Sequence, residues 1–308
     1  MNYYLTKSLD FITTLFLITL VTFFTFKLLP GSPALSILGP EAEESQIEFL
    51  EHQLNLDKSL PVQYFIWLKN ALTGDLGTSY RYQQSVTSLI SGSLPATVSL
   101  AVMSLIFTIL IGSIFGILFS RVSRHRYLKP LFYVNQIWIS IPSFCTALIL
   151  ILIFTLKLHL LPSAGYSGFS SLILPSLSIA LGTGTILARY IKSSIENELK
   201  QDYVRTARSK GLSENTIIFR HILRNSLISS VTVVGLSATQ ILGGSIIIET
   251  VFSLPGIGRL LASSISSRDL PLLQGLIIYL AVITLACNFL IDILYSVIDP
   301  RTRTKVKA

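Results

Sequence analysis

Residues 130–156 read PLFYVNQIWISIPSFCTALILILIFTL and contain no Lys, Arg, Asp or Glu. A bilayer core of about 30 Å needs roughly 20 residues of α-helix, because lipid offers no partner to free backbone groups. The run from Leu131 to Leu156 is therefore predicted to cross a membrane, framed by Lys129 and Lys157 where water resumes. Pro142 interrupts it and can bend the helix, either lining a passage or only serving packing.

Outward from this stretch, the same test predicts five more spans: Phe11–Leu29, Pro95–Phe119, Leu172–Ala188, Leu227–Ile248 and Leu272–Ile298. The fourth, Leu172–Ala188, is the shortest; Gly182 and Gly184 within it either line a passage or let helices approach closely. The fold class expected is an all-α integral membrane protein of six helices. Lys7 followed by an apolar run resembles a signal peptide, but the run reaches Leu29, beyond a signal core of about 7 to 15 residues, so a retained anchor is expected.

Composition agrees. The 308 residues are 51% hydrophobic and 13% charged, against roughly 25% charged in a soluble domain, and the mean hydropathy is +0.65. The net charge of +8 flanks the apolar runs instead of covering a soluble face, which excludes a nucleic-acid module. Lys7, the 121–129 segment, the 189–224 segment and the tail 301–307 hold 17 of the 24 Lys and Arg residues. By the positive-inside rule these lie in the cytoplasm, with both termini.

The segment between the first two spans carries Glu41, Glu43, Glu44, Glu48, Glu51, Asp57 and Asp75 against Lys58, Lys69 and Arg81, so it belongs outside. Pro40 is predicted to open a helix with Ile47, Leu50 and Leu54 on one face. Pro61 is predicted to open another with Phe65, Leu68 and Leu72, ending near Gly74. This helical cap either packs on the outer ends of the spans or docks an external partner. The division expected is residues 1–29, the first span; 30–94, the cap; 95–298, a five-helix core containing a cytoplasmic segment at 196–225; and 299–308, a tail.

That cytoplasmic segment reads ENELKQDYVRTARSKGLSENTIIFRHILRN. It is patterned helix, break, helix: Gly211 can take the left-handed conformation that ends the first helix, and Ser213 is suited to cap the second. Ile218 and Ile222, with Phe219, Ile222 and Leu223, give the second helix an apolar face beside Arg220 and Arg224. Arg205, Arg208, Lys210 and Arg220 could reach acidic groups on a partner, and Tyr203, Ala207, Leu212, Ile218 and Phe219 could supply an apolar docking patch. The alternative is a basic loop neutralising anionic lipid.

The string YVRTARSKGLS followed by RHILRN resembles the coupling segment of binding-protein-dependent ABC permeases, in the version of the dipeptide, oligopeptide and nickel branch. Further matches lie at Ser32, Pro33 and Ala34, at LDKSLPVQY from Leu56, GDLGTSY from Gly74, LPAT from Leu94, GGSIIIETVFSLPGIGRL from Gly243 and DPR from Asp299. The resemblance implies a type I importer permease in a bacterial cell membrane that pairs with a second, homologous permease. It implies two ATPase subunits holding ATP and Mg, gripping an elbow of Tyr203, Arg205, Thr206, Ala207, Arg208, Lys210, Gly211, Leu212, Ile218, Phe219 and Arg220. It also implies an extracytoplasmic binding protein that delivers peptides, nickel or a nickel chelate. The family's generic Glu-Ala-Ala falls on Arg205, Thr206 and Ala207, so its acidic residue is absent here. Asn55 and Ser59 stand where this branch usually has Gly and Pro.

Other chemistries find little support. No stretch matches GxxxxGK[ST], so ATP hydrolysis is not expected of this chain. His52, His125, His159 and His221 are scattered, and Cys145 and Cys287 lack neighbours at metal spacing, so neither a metal site nor a bound cofactor is expected. No nucleophile–base pair suggests an enzyme. A secondary transporter or channel is the alternative, but inverted repeats or mid-span ionisable residues are not evident. Glu249 and Asp292, near the ends of the fifth and sixth spans, are functional suspects: either both simply sit at the interface or cap neighbouring backbone, or Glu249 helps shape an outer gate beside SLPGIGRL.

Overall fold

The computed structural model describes residues 3–28, 38–39, 42–53, 55–121 and 126–298. Leu29, Ser32, Pro33, Ala34, Pro40, Leu54, His125 and the tail from Asp299 lie outside them. Among the described residues the chain is helical, with a single β-bridge between Thr78 and Ser85. The helices are α1 Tyr3–Leu28, α2 Glu44–Gln53, α3 Leu60–Leu72, α4 Val86–Phe119, α5 Lys129–Trp138, α6 Ser143–Leu150, α7 Phe169–Glu198, α8 Asp202–Ser209, α9 Glu214–Thr216, α10 Leu223–Gly244, α11 Ile246–Val251, α12 Ile257–Ser266 and α13 Leu270–Ile298. π-helical turns continue α6 over Ile151–Lys157 and join α9 to α10 over Ile217–Ile222.

The six expected spans are met unevenly. Four described helices, α1, α4, α7 and α13, are long and apolar enough to cross a membrane. The third span is not one rod: α5 and α6 meet at a bend of 111°. Pro142 has no N–H, disfavours helical geometry at Ile141, and begins α6 from an extended conformation (φ −57°, ψ 143°). α10 is 22 residues long, and Val233–Gly243 within it is apolar. The fourth span, expected to be the shortest, is a 30-residue helix. Its hydropathy fades at Arg189, but the helix continues, helped by the Lys192–Glu196 ion pair at 2.8 Å.

The chain divides into two compact units, Met1–Pro95 with Gly256–Ala286 and Ala96–Pro255 with Cys287–Ala308. In the first, α3 packs on α1 through Tyr64, whose ring meets Phe16, Phe23 and Phe24 and whose hydroxyl lies 3.0 Å from that of Thr19. The expected stripe of Phe65 and Leu72 is exposed instead, Leu72 at 81%. An aromatic ring that also finds a hydroxyl partner decides the buried face. α2 begins at Glu44, and Ser59 and Pro61 open α3, which ends at Gly74 (φ +88°). Asn55 takes φ +54°, a conformation that Asn tolerates better than other side-chain-bearing residues, which accounts for its replacing Gly.

In the second unit α7 is the spine. Its first half packs Leu172, Leu174 and Ile179 with Leu100 and Met103 of α4, Ala147 and Leu150 of α6, and Phe252. α4 and α7 approach closely: a Cβ on Gly112 would stand 2.6 Å from Leu187, and one on Gly184 would stand 2.9 Å from Ile111. Small residues at such crossings let dispersion contacts replace the hydrophobic drive that lipid removes.

Candidate functional site

The elbow at 196–225 is built as expected at its turn. Gly211 (φ +76°) follows α8; its N–H donates to the Arg208 carbonyl at 2.9 Å, and the Leu212 N–H to that of Ala207 at 3.3 Å, a paired termination that needs a left-handed residue. The Ser213 hydroxyl accepts from the Thr216 N–H at 3.3 Å and caps α9. Across the turn, Arg208 donates to both oxygens of Glu214, at 2.9 and 3.4 Å. Tyr203 donates to Glu198, and Arg121 reaches Asn215 at 3.1 Å.

The elbow's apolar face divides in two. Val204, Ala207, Ile217, Ile218 and Ile222 are buried against Leu187, Ile191 and Ile195 of α7. Ala207 and Ile218, 8% and 5% exposed, therefore belong to the elbow's stem and are not part of the docking surface expected from the sequence. Both faces of this segment carry apolar residues, and periodicity does not say which one faces the chain's own spine. Tyr203, Arg205, Thr206, Arg208, Lys210, Gly211, Leu212, Phe219 and Arg220 remain exposed, Phe219 at 56%.

A second feature lies beside the middle of α7. Lys192 sits over the Phe132 ring at 5.2 Å, Asn135 donates to the Thr185 hydroxyl at 3.0 Å, and Ile139 and Ser143 share a cleft with Ile179, Gly182 and Thr183. The α5–α6 break thus lies halfway along α7. The cleft, of about 190 Å³, is completed by Ile186, Gln240, Ile241, Ser245 and Ile248. Gly182 and Gly184 part company here: a Cβ on Gly182 would meet nothing within 4 Å, while Gly184 belongs to the α4–α7 seam. Pro142 stands at the break and is exposed.

Glu249 is 0% exposed and lies behind the cleft. One of its oxygens accepts from the hydroxyls of Thr97 and Ser245, each at 2.8 Å, so it ties α11 to α4. The sequence singled out Glu249 but not Thr97, its partner 152 positions away. A second buried carboxylate was missed altogether. Asp269, at the start of α13, accepts from Ser79, from the Tyr80 and Arg81 N–H groups at 3.1 and 3.2 Å, and from the Leu272 N–H at 3.4 Å. An Asp immediately before an apolar helix is a capping signal, but its long-range partners are not legible locally. Burial, and then the adjoining Asp269 charge, push the Tyr80 hydroxyl up to about 12. Among the described residues, no group of three or more His, Cys, Asp or Glu could hold a metal ion.

Comparison with known proteins covers nearly the whole chain. Residues 109–304 match the family described as binding-protein-dependent transport system inner membrane component, and residues 1–101 match the N-terminal region of such components. A Brucella abortus protein described as a peptide transport system permease is 39% identical over 300 residues, covering 95% of this chain and 96% of that one. The glutathione transport system permease protein GsiC of Escherichia coli is 37% identical over 306 residues, covering 99% and 100%. Among solved structures, the MetNI methionine ABC transporter in an inward-facing conformation aligns with a TM-score of 0.58 at 15% identity, covering 68% of this chain and 96% of that one. An amino acid ABC transporter aligns at 0.54 and 16% identity, covering 68% and 94%. These structural likenesses concern the fold.

Proposed function

The chain belongs to the binding-protein-dependent transport system inner membrane components, and on that premise we propose that its elbow is the dock for an ATPase subunit and its mid-helix cleft one wall of a peptide path. It is a multi-pass permease subunit of the peptide ABC-importer family. The observation that carries the docking reading is the division of the elbow. A stem welded to α7 supports a tip where Tyr203, Leu212 and Phe219 stand among Arg205, Lys210 and Arg220. Such a tip suits an apolar groove with an acidic rim, and force on it passes through the stem to α7. Thr206, Arg208 and Gly211 hold its shape.

In this reading both termini and the elbow are cytoplasmic, as the basic bias requires. A second permease completes the path, an external binding protein delivers cargo, and ATP with Mg is consumed on the two ATPase subunits. The ATPase pair drives transport by binding one arrangement of the permeases better than the other. Peptide is preferred to nickel as cargo because the relatives named above carry peptide and glutathione designations. Glu249 shapes the gate indirectly by fixing α11 to α4, Pro142 and Gly182 front the path, and Gly184 closes the seam behind it.

The test is uptake of a labelled tripeptide by proteoliposomes containing both permeases, with binding protein outside and ATP supplied to the ATPase subunits. Uptake that requires every one of these components is the expected result. Uptake without ATP would make the protein a secondary transporter or channel.

A further inference from the structure

The cleft's lining has a chemistry that neither the family nor the named relatives specify. Among the described residues, its polar side chains are Ser143, Thr183, Gln240 and Ser245, all hydroxyls or amides, and no ionisable side chain lines it. The two hydroxyls placed deepest are already engaged: Ser245 donates to Glu249 at 2.8 Å, and Thr183 donates to the Ile179 carbonyl at 3.0 Å and pairs with Thr108 at 2.7 Å. Gln240 and Ser143 are exposed at the rim.

The wall beside it is unfinished. Non-helical backbone at membrane depth is tolerated only where protein buries it or where it lines a water-filled cavity. Here Ser140, Pro142 and Ser143 are exposed at the α5–α6 break. Just before the break, Asn135 Oδ1, Gln136 Nε2 and Trp138 Nε1 are buried without a hydrogen-bond partner. These three atoms are closed off and their residues do not line the cleft, so an internal water is the partner that suits them.

We infer that this cleft contacts the main-chain amides of a passing peptide through Ser143, Gln240 and the Gly182 surface, and is indifferent to the charge of the peptide's side chains. The inference rests on the permease reading above. Amide groups need one donor and one acceptor each, which hydroxyl and carboxamide side chains supply equally well. A fixed charge in the wall would hold one class of peptide and repel another. A neutral wall leaves selection to an earlier step and lets the cargo leave.

The experiment uses the complete transporter in proteoliposomes, with Cys145 and Cys287 replaced by Ala and the Gly182→Cys variant introduced. A Cβ at Gly182 meets nothing within 4 Å, and uptake of Ala-Ala-Ala by the unlabelled Gly182→Cys transporter is the reference for the labelled one. Treatment with a methanethiosulfonate reagent should then cut uptake at least ten-fold, and peptide-loaded binding protein should slow labelling several-fold. A second variant, Gln240→Leu, should lower uptake of Ala-Ala-Ala, Ala-Lys-Ala and Ala-Glu-Ala by similar factors of about three to ten. A thiol that is not labelled in the assembled transporter, or is labelled without loss of uptake, overturns the inference. So does a Gln240→Leu loss that differs more than ten-fold between the Lys and Glu peptides. If the parent transporter shows no ATP-dependent uptake of any of the three peptides, the permease-and-peptide reading itself fails.

Discussion

The elbow and the α5–α6 break are both departures from straight helix in the same unit, and they are finished in opposite ways. In the elbow the turn's N–H groups, its cap and its Arg208–Glu214 pair satisfy one another, and its buried apolar residues belong to one cluster with α7. At the break the N–H groups of Ile139, Ser140 and Ile141 are bonded within the chain, but Ser140, Pro142 and Ser143 are exposed and three side-chain atoms just before it are buried without a partner. The first is a solid handle, complete before any partner arrives. The second leaves polar side-chain atoms without a partner among the described residues. α7 joins the two, since Leu187 to Ile195 hold the elbow and Ile179 to Ile186 line the cleft.

The largest effect that would break this contrast is a charge in the handle's stem. Ile222→Asp places an unpaired carboxylate in the apolar cluster, and we expect a loss of about 3 kcal/mol or more. The complex should fail to assemble in membranes, read by co-purification of the ATPase subunits. Next come the two glycines of α7. Gly184→Leu drives a side chain into Ile111 and should lower stability by about 1 to 3 kcal/mol, read as the melting temperature of the purified complex, whereas Gly182→Ala should leave it unchanged. Gly211→Val forces a β-branched residue to φ +76° and should cost about 1 to 2 kcal/mol. ATPase stimulation by loaded binding protein is expected to suffer more than assembly does. Smaller still, Arg208→Ala removes a solvent-exposed pair that contributes at most about 1 kcal/mol, so stability should barely move.

A third place, the Asp269 cluster, sharpens the comparison because it is satisfied as the elbow is. Tyr80 holds its proton up to about pH 12 when folded, against about 10 when unfolded. Its contribution to stability is fully present below pH 10 and is lost as pH rises through 12. Absorbance titration of tyrosine should show a late-ionising group that Tyr80→Phe removes.

What was legible in the sequence follows from how local each signal is. Long uncharged runs revealed the four long apolar helices, and Gly211 and Ser213 revealed the elbow's turn, because turn and cap chemistry involve near neighbours. Pro142 signalled a bend, but the absence of charge on either side made residues 131–156 look like one span, so a turn as sharp as 111° was not legible. The extension of α7 past Ala188 was hidden because charged residues end a hydropathy signal without ending a helix. Asp269 with Ser79, and Glu249 with Thr97, join residues 190 and 152 positions apart. The inward turn of Ala207 and Ile218 depends on α7, which no local pattern reveals.

The central claim is that the elbow's tip meets the ATPase. A photoreactive benzoylphenylalanine placed at Phe219 should cross-link to the ATPase subunit on illumination of the assembled transporter, while the same group at Ile217, buried in the stem, should cross-link within this chain. Cross-linking of position 219 to the external binding protein, or no cross-link to the ATPase in a transporter active in ATP-dependent uptake, would contradict it.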